Sequence, residues 1–161
     1  SDMMDGRVKA IRKTLESAGY VNTGILSYSV KYASSFYGPF RDAADSAPSF
    51  NNRSSYQMDF RSGYSEAVLE ATLDENEGAD IIMIKPALSY LDVVRKVTDS
   101  VKRPIAVYNV SAEYSMVMAA TKEDQSRVKM VNEILHAFKR AGADVIVSYH
   151  TRDAVKGKWI D

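Results

Sequence analysis

Two lysines set the chemistry open to this sequence. Lys31 closes the apolar run Gly24-Ile25-Leu26-Ser27-Tyr28-Ser29-Val30, and Lys85 closes Ile81-Ile82-Met83-Ile84. An amine at the end of a buried strand is partly desolvated, and a second cation nearby disfavours its charged form further. The neutral amine can then attack a carbonyl and form a Schiff base. Pro86 follows Lys85 and fixes the backbone just beyond it. Ser111 and Tyr149 end two further apolar runs, Pro104 to Val110 and Asp144 to Ser148. The plainer alternative is that each lysine only marks where a strand meets solvent, but two at two strand ends weaken it.

After Lys31 comes a stretch of about thirty residues, 32–62, without periodicity. A segment of that length in a compact domain reads as an active-site lid loop. It carries Tyr32, Phe36, Tyr37, Phe40, Phe50 and Tyr56, which could close a pocket against water. Arg41 and Arg53 could clamp a carboxylate through paired hydrogen bonds. A surface loop with solvated arginines is the competing reading. Other candidates carry less. His136 sits among apolar positions of a helix and reads as structural, and His150 follows the last strand without a second His at metal-ligand spacing. The spacing of Asp2, Asp5 and Asp45 specifies no metal, and Met116–Met118 read as core or packing surface. Dinucleotide, P-loop and nucleophile-elbow signatures are absent from the sequence.

The elements that must hold these residues follow from the hydrophobic periodicity. Four apolar strands end at Lys31, Lys85, Ser111 and Tyr149. Helical spacing marks Val8, Ile11, Leu15 and Ala18, a helix around Ser65–Glu77 with Val68, Leu69, Ala71 and Leu73 as its apolar side, and one at Tyr90, Leu91, Val94 and Val97. A short helix holds Met116 and Met118, a longer one Val128, Val131, Ile134, Leu135 and Phe138, and a weak helix or tail follows the last strand. Alternation of strand and helix predicts an α/β fold with a parallel sheet of right-handed βαβ units. Gly78-Ala79-Asp80-Ile81-Ile82 recurs as Gly142-Ala143-Asp144-Val145-Ile146, two units later. In each copy Gly stops a helix and the small Ala lets helix and strand pack closely. Such a repeat suits a (β/α)₈ TIM barrel, which needs about 250 residues. Four units therefore make the C-terminal half of a barrel, a single partial domain over residues 1–161. An open doubly wound sheet remains the alternative.

Composition narrows the function classes. The chain has 161 residues, 21 Lys plus Arg against 21 Asp plus Glu, and 45% hydrophobic residues, so it can bury a core and is not a disordered tail. Zero net charge argues against broad binding to nucleic acid or membrane surfaces. Without Cys there is no disulfide frame, thiolate zinc site or Cys nucleophile. No apolar run nears the roughly 18 residues of a membrane span. The expected compartment is cytoplasmic, and the start at Ser1-Asp2-Met3-Met4 reads like a cut inside a longer protein.

Several longer segments resemble the δ-aminolevulinic acid dehydratase (porphobilinogen synthase) family. Lys31 to Ala43 resembles its first lysine segment. Ser1 to Arg7, Tyr56-Gln57-Met58-Asp59, Met83 to Leu88, Val110-Ser111-Ala112-Glu113-Tyr114 and Arg140 to Asp144 follow in the family's order. The likeness covers nearly the whole chain and corresponds to about the C-terminal half of the family's protein. The sequence departs from the family's pattern at Ala112, where the family has Gly, at Phe60-Arg61-Ser62, where it has Pro-Ala-Asn, and at His150, where an aromatic often stands.

The resemblance implies a TIM barrel and a lyase that condenses two 5-aminolevulinate molecules to porphobilinogen in tetrapyrrole (heme) synthesis. On that reading Lys85 forms the Schiff base and Lys31 is the second active-site lysine. Ser111 and Tyr149 bind the first substrate's carboxylate. Arg41, Arg53 and Gln57 bind that of the second, with Ser1 near its amino end. Glu70 matches an allosteric magnesium ligand of some members. The catalytic metal, zinc or magnesium, is held upstream of the segment this chain matches, and the family forms homo-oligomers, octamers or related. Two other classes stay open. One is another Schiff-base barrel such as a class I aldolase, and the other is a non-catalytic half-barrel that needs its missing half.

Overall fold

The computed structural model describes residues 3–40 and 55–159. Four strands alternate with helices: α1 (Arg7–Ser17), β1 (Leu26–Lys31), α2 (Tyr64–Asn76), β2 (Ile81–Lys85), α3 (Leu91–Thr98), β3 (Ile105–Asn109), α4 (Ser111–Ala120), α5 (Asp124–Ala141), β4 (Val145–Ser148) and α6 (Thr151–Lys156). Short 3₁₀ turns at Ser35–Tyr37 and Leu88–Tyr90 follow β1 and β2. The strands form one parallel sheet in the order β1-β2-β3-β4. A doubly wound sheet reverses its strand order at a switch point. This sheet runs in chain order without a reversal, which is how strands follow one another around a (β/α)₈ barrel. The α/β half-barrel is the architecture present.

The sheet's two faces divide the labour. Val30, Ile82, Ile84, Ile105 and Val107 pack with Ala67 and Ala71 of α2, Val94 and Val97 of α3, and Val131, Leu135 and Phe138 of α5. Side chains alternate across a strand, so the residues between them point the other way. There Met83 and Ala106 are buried outside the helix-side core, and Lys85 and Tyr108 come next along their strands. The outer strands are more open than the inner two: Leu26 in β1 and Val145 in β4 are exposed.

The repeated Gly-Ala-Asp segment explains itself here. Gly78 and Gly142 have φ of 101° and 116°, a region that favours glycine. Ala79 and Ala143 are buried. Each aspartate then ties the start of its own strand to the start of the preceding one. Asp80 N–H donates to Ile25 O (2.9 Å) while its Oδ2 accepts from Ile25 N–H (2.8 Å). Asp144 repeats this with Ile105, at 2.8 and 2.9 Å.

Some expected apolar positions are placed differently. Leu69 and Leu73 lie exposed on α2, which buries Ala67 and Ala71 instead. Alanines let α2 lie close on the sheet, and that rotates the leucines outward. On α1 only Val8 is buried, and Ile11 is exposed. In α4 the inward apolar residue is Val117, buried along with Ser111 and Glu113, and Met116 faces outward. His136 is not a core histidine: it is exposed, its Nδ1 2.9 Å from Asn132 O, one turn back on α5.

Candidate active site

Strand register brings the two lysines together. Lys31 is the parallel partner of Lys85 at the C-terminal ends of β1 and β2. Both reach the same aromatic ring, with Lys31 Nζ 5.8 Å and Lys85 Nζ 5.5 Å from the Tyr28 centroid. Lys85 Nζ also stands 4.0 Å from the Tyr108 centroid and 5.3 Å from that of Tyr37. Lys31 is buried and Lys85 half-buried. The two line a cavity of about 220 Å³ with Tyr28, Tyr37, Phe40, Tyr108, Val110, Ser111 and Tyr149. Aromatic faces stabilise a cation by about 0.5–2 kcal/mol. They would do so for an ammonium and equally for the iminium of a protonated Schiff base.

Three segments close the cavity. After β1 the chain bridges to Met58: Met58 N–H donates to Lys31 O and Ala33 N–H to Met58 O, at 3.0 and 2.8 Å. The 3₁₀ turn then forms, with Ser34 Oγ accepting from Phe36 N–H (3.1 Å). It brings the Tyr37 hydroxyl to donate to Lys85 O at 3.0 Å. Ser111 Oγ accepts from Phe40 N–H (3.1 Å) and donates to Phe36 O (3.4 Å). Ser111 thus joins the beginning of the loop to the beginning of α4. On the far side, burial first and then a hydrogen bond with Tyr108 push the Tyr149 hydroxyl up to about 12. Burial also raises Tyr28.

Of the residues expected from sequence, Lys31, Lys85, Ser111 and Tyr149 share this cavity. Gln57 is not among its lining residues. It is buried beside the Met58 bridge, and neither its Oε1 nor its Nε2 has a partner among the described residues. Glu70 lies elsewhere, half-buried on α2. Burial first, then the charges of Asp5, Asp74, Glu66 and Glu77, push its carboxyl up. Arg41, Arg53 and Ser1, with Asp2, Asp45 and Phe50, lie outside the described residues. His150 does not line the cavity: it is buried against Tyr114, ring centroids 4.5 Å apart. Sequence reasoning missed Tyr28 and Tyr108 as walls. A period-two reading of each strand puts Tyr108 on one face with Ala106, but only the register shows that this face carries the lysines.

Known proteins of one family resemble this chain over nearly its whole length. A family model described as delta-aminolevulinic acid dehydratase matches residues 1–157. The chain is 53% identical over 154 residues to the delta-aminolevulinic acid dehydratase of Helicobacter pylori, covering 95% of this chain and 47% of that protein. It is 54% identical over 153 residues to the enzyme of the same name from Archaeoglobus fulgidus, with the same coverage. Among solved structures it superposes with a TM-score of 0.91 on the delta-aminolevulinic acid dehydratase (porphobilinogen synthase) of Toxoplasma gondii in complex with the reaction product porphobilinogen. That match has 50% identity and covers 98% of this chain and 45% of that one. The chain spans about half the length of the relatives it matches.

Proposed function

The chain belongs to the delta-aminolevulinic acid dehydratase family, and from that premise we propose that its whole protein condenses two 5-aminolevulinate molecules to porphobilinogen with loss of water. The observation that carries this reading is the pairing of Lys31 with Lys85 at neighbouring strand ends, both facing one tyrosine-walled cavity. Lys85 attacks the ketone of one 5-aminolevulinate, water leaves, and a Schiff base remains on Nζ. Lys31, the second lysine, offers positive charge and proton transfer beside it. Ser111, the first residue of α4, and Tyr149, just past β4, reach the same cavity and would hold that substrate's carboxylate with their hydroxyls. For the second substrate the assignment is Arg41, Arg53 and Gln57 on the carboxylate and Ser1 near the amino end. In this reading residues 32–62 form the lid of a single partial domain, 1–161. The class I aldolase alternative falls with family membership.

A metal would be zinc or magnesium and would supply Lewis acidity when bound. Among the described residues no group of three or more His, Cys, Asp or Glu stands together to hold one. The family resemblance puts the ligands of the catalytic metal upstream of the segment this chain matches. Glu70, its carboxyl raised by burial and four acidic neighbours, has the chemistry of one ligand of an allosteric magnesium, which would relieve that repulsion. Homo-oligomer formation is proposed for the whole protein. No described helix is long and apolar enough to cross a membrane.

Borohydride trapping with 5-aminolevulinate, read by intact-mass and peptide mass spectrometry, tests the reading. A one-substrate adduct on Lys85 that disappears in Lys85→Ala is expected. An adduct only on surface lysines would sink the assignment. No adduct on a folded chain would mean that this half alone is a non-catalytic module.

A further inference from the structure

The most deeply buried carboxylate in the described chain is outside the proposed chemistry. Glu113, in the first turn of α4, is 1% exposed and does not line the cavity. Four N–H donors converge on it. Oε1 accepts from Ala87 N–H (3.2 Å) and Leu88 N–H (2.7 Å), just past Lys85 and Pro86. Oε2 accepts from Val110 N–H (2.9 Å) and Asn109 Nδ2 (2.9 Å) at the end of β3. The chain of bonds continues. Asn109 Oδ1 accepts from Ser148 Oγ (2.8 Å), and Ser148 Oγ accepts from His150 N–H (3.1 Å). Tyr149 is the residue between those two.

One carboxylate therefore ties the ends of β2, β3 and, through two side chains, β4. Each tie lies within two or three residues of a cavity wall: Lys85 on β2, Tyr108 and Ser111 around β3, Tyr149 on β4. We infer that Glu113 is the positioning residue of this site, holding Lys85 against the Tyr108 ring and fixing Ser111 and Tyr149 in register with it. Its chemical consequence rests on the Schiff-base reading above, but the geometry does not. A buried carboxylate that collects four donors has no isosteric neutral substitute. In Glu113→Gln one oxygen is replaced by an NH₂ group. If the amide oxygen faces Ala87 and Leu88, Val110 N–H meets a donor. If it faces Val110, the two loop N–H groups do. Either way a buried backbone donor loses its acceptor and the segment holding it must move.

The test uses the 161-residue chain in two samples: one with ¹³C-dimethylated lysines for NMR, with Lys85→Arg to assign the Lys85 signal, and one with unmodified lysines for trapping, because a dimethylated amine cannot form a Schiff base. In the wild type the Tyr108 ring should shift that signal upfield by its ring current. In E113Q with unchanged far-UV circular dichroism, loss of that displacement supports the inference, together with trapping of 5-aminolevulinate slowed at least about tenfold, ~1.4 kcal/mol. A retained displacement overturns it, whatever happens to trapping. If the wild type does not trap at all, the Schiff-base reading fails for this chain while the ring-current comparison still decides the positioning claim. If E113Q does not fold, Ser148→Ala decides. Cutting that link should loosen the end of β4 and with it the contact of Tyr149 with Tyr108, lowering the Tyr149 phenolate midpoint below the wild-type value measured alongside. An unchanged midpoint overturns the inference.

Discussion

Gly142→Ala should be among the costliest single-atom additions in this chain, and its cost divides into two separable parts. Gly142 ends α5 at φ 116°, where an L side chain is strained by about 1–2 kcal/mol. A Cβ there would also lie 2.6 Å from Thr98 Oγ1, 2.8 Å from Cγ2 and 3.0 Å from Cβ. Ordinary contact begins near 3.4 Å. Thr98 cannot swing away freely, because its hydroxyl donates to Val94 O at 2.8 Å on α3. Overpacking of this kind costs about 1–3 kcal/mol. The single variant should lose about 2–5 kcal/mol. In a Thr98→Ala background Oγ1 and Cγ2 are gone and only the Cβ at 3.0 Å remains, so the same substitution should lose clearly less, the backbone part of about 1–2 kcal/mol plus a small remainder from that one contact. Gly78→Ala is the internal control. Its φ is 101°, but the nearest neighbour is Arg12 Cγ at 3.3 Å, only just inside ordinary contact. It should lose about 1–2 kcal/mol with no partner dependence. Urea unfolding of the four variants, followed by circular dichroism, measures the cycle. Equal losses at Gly142 and Gly78, or no relief from Thr98→Ala, would refute the claim that α5 closes against α3 at this contact.

Two titrations follow from the structure. Tyr149, raised to about 12 by burial and then Tyr108, stays protonated in the fold while an unfolded tyrosine ionises near 10. Its stabilisation is thus full below pH 10 and is lost as pH rises to about 12. Tyr108→Phe should lower the midpoint in a phenolate absorbance titration, and an unmoved midpoint would remove Tyr108 as a cause. Burial, then the Arg127 charge, holds His150 below the ordinary histidine value near 6.5, with Asp153 opposing. A depressed histidine contributes stability above pH 6.5 that is lost as pH falls. His150→Phe should flatten that part of the Tm–pH curve relative to wild type, and parallel curves would refute it.

How much of this was legible beforehand depends on the range of the interactions involved. Strand ends at Lys31, Lys85, Ser111 and Tyr149 follow from local runs of apolar residues, and every strand and helix expected from periodicity is present. Helix faces were less secure. Leu69 and Leu73 are more apolar than Ala67 and Ala71, yet the alanines pack on the sheet, because the space between helix and strands admits only small side chains there. The Gly and Ala of the repeated segment were readable as a helix stop and a close contact. The aspartate was not, because its partners, Ile25 and Ile105, lie 55 and 39 residues away.

By itself the sequence determined the α/β alternation, the lysines at strand ends, and, through long contiguous motifs, the family. These are properties of neighbouring residues. Strand order and register were decided only by the tertiary structure. Chain-order pairing separated half of a barrel from an open doubly wound sheet, and register set Lys31 beside Lys85. The same packing raised Tyr28 and Tyr108 into walls around the amines. It also placed Glu113 where three strand ends converge. A period-two pattern states which residues share a face of one strand, but which strands lie side by side, and at what offset, is settled by contacts between segments far apart in the chain.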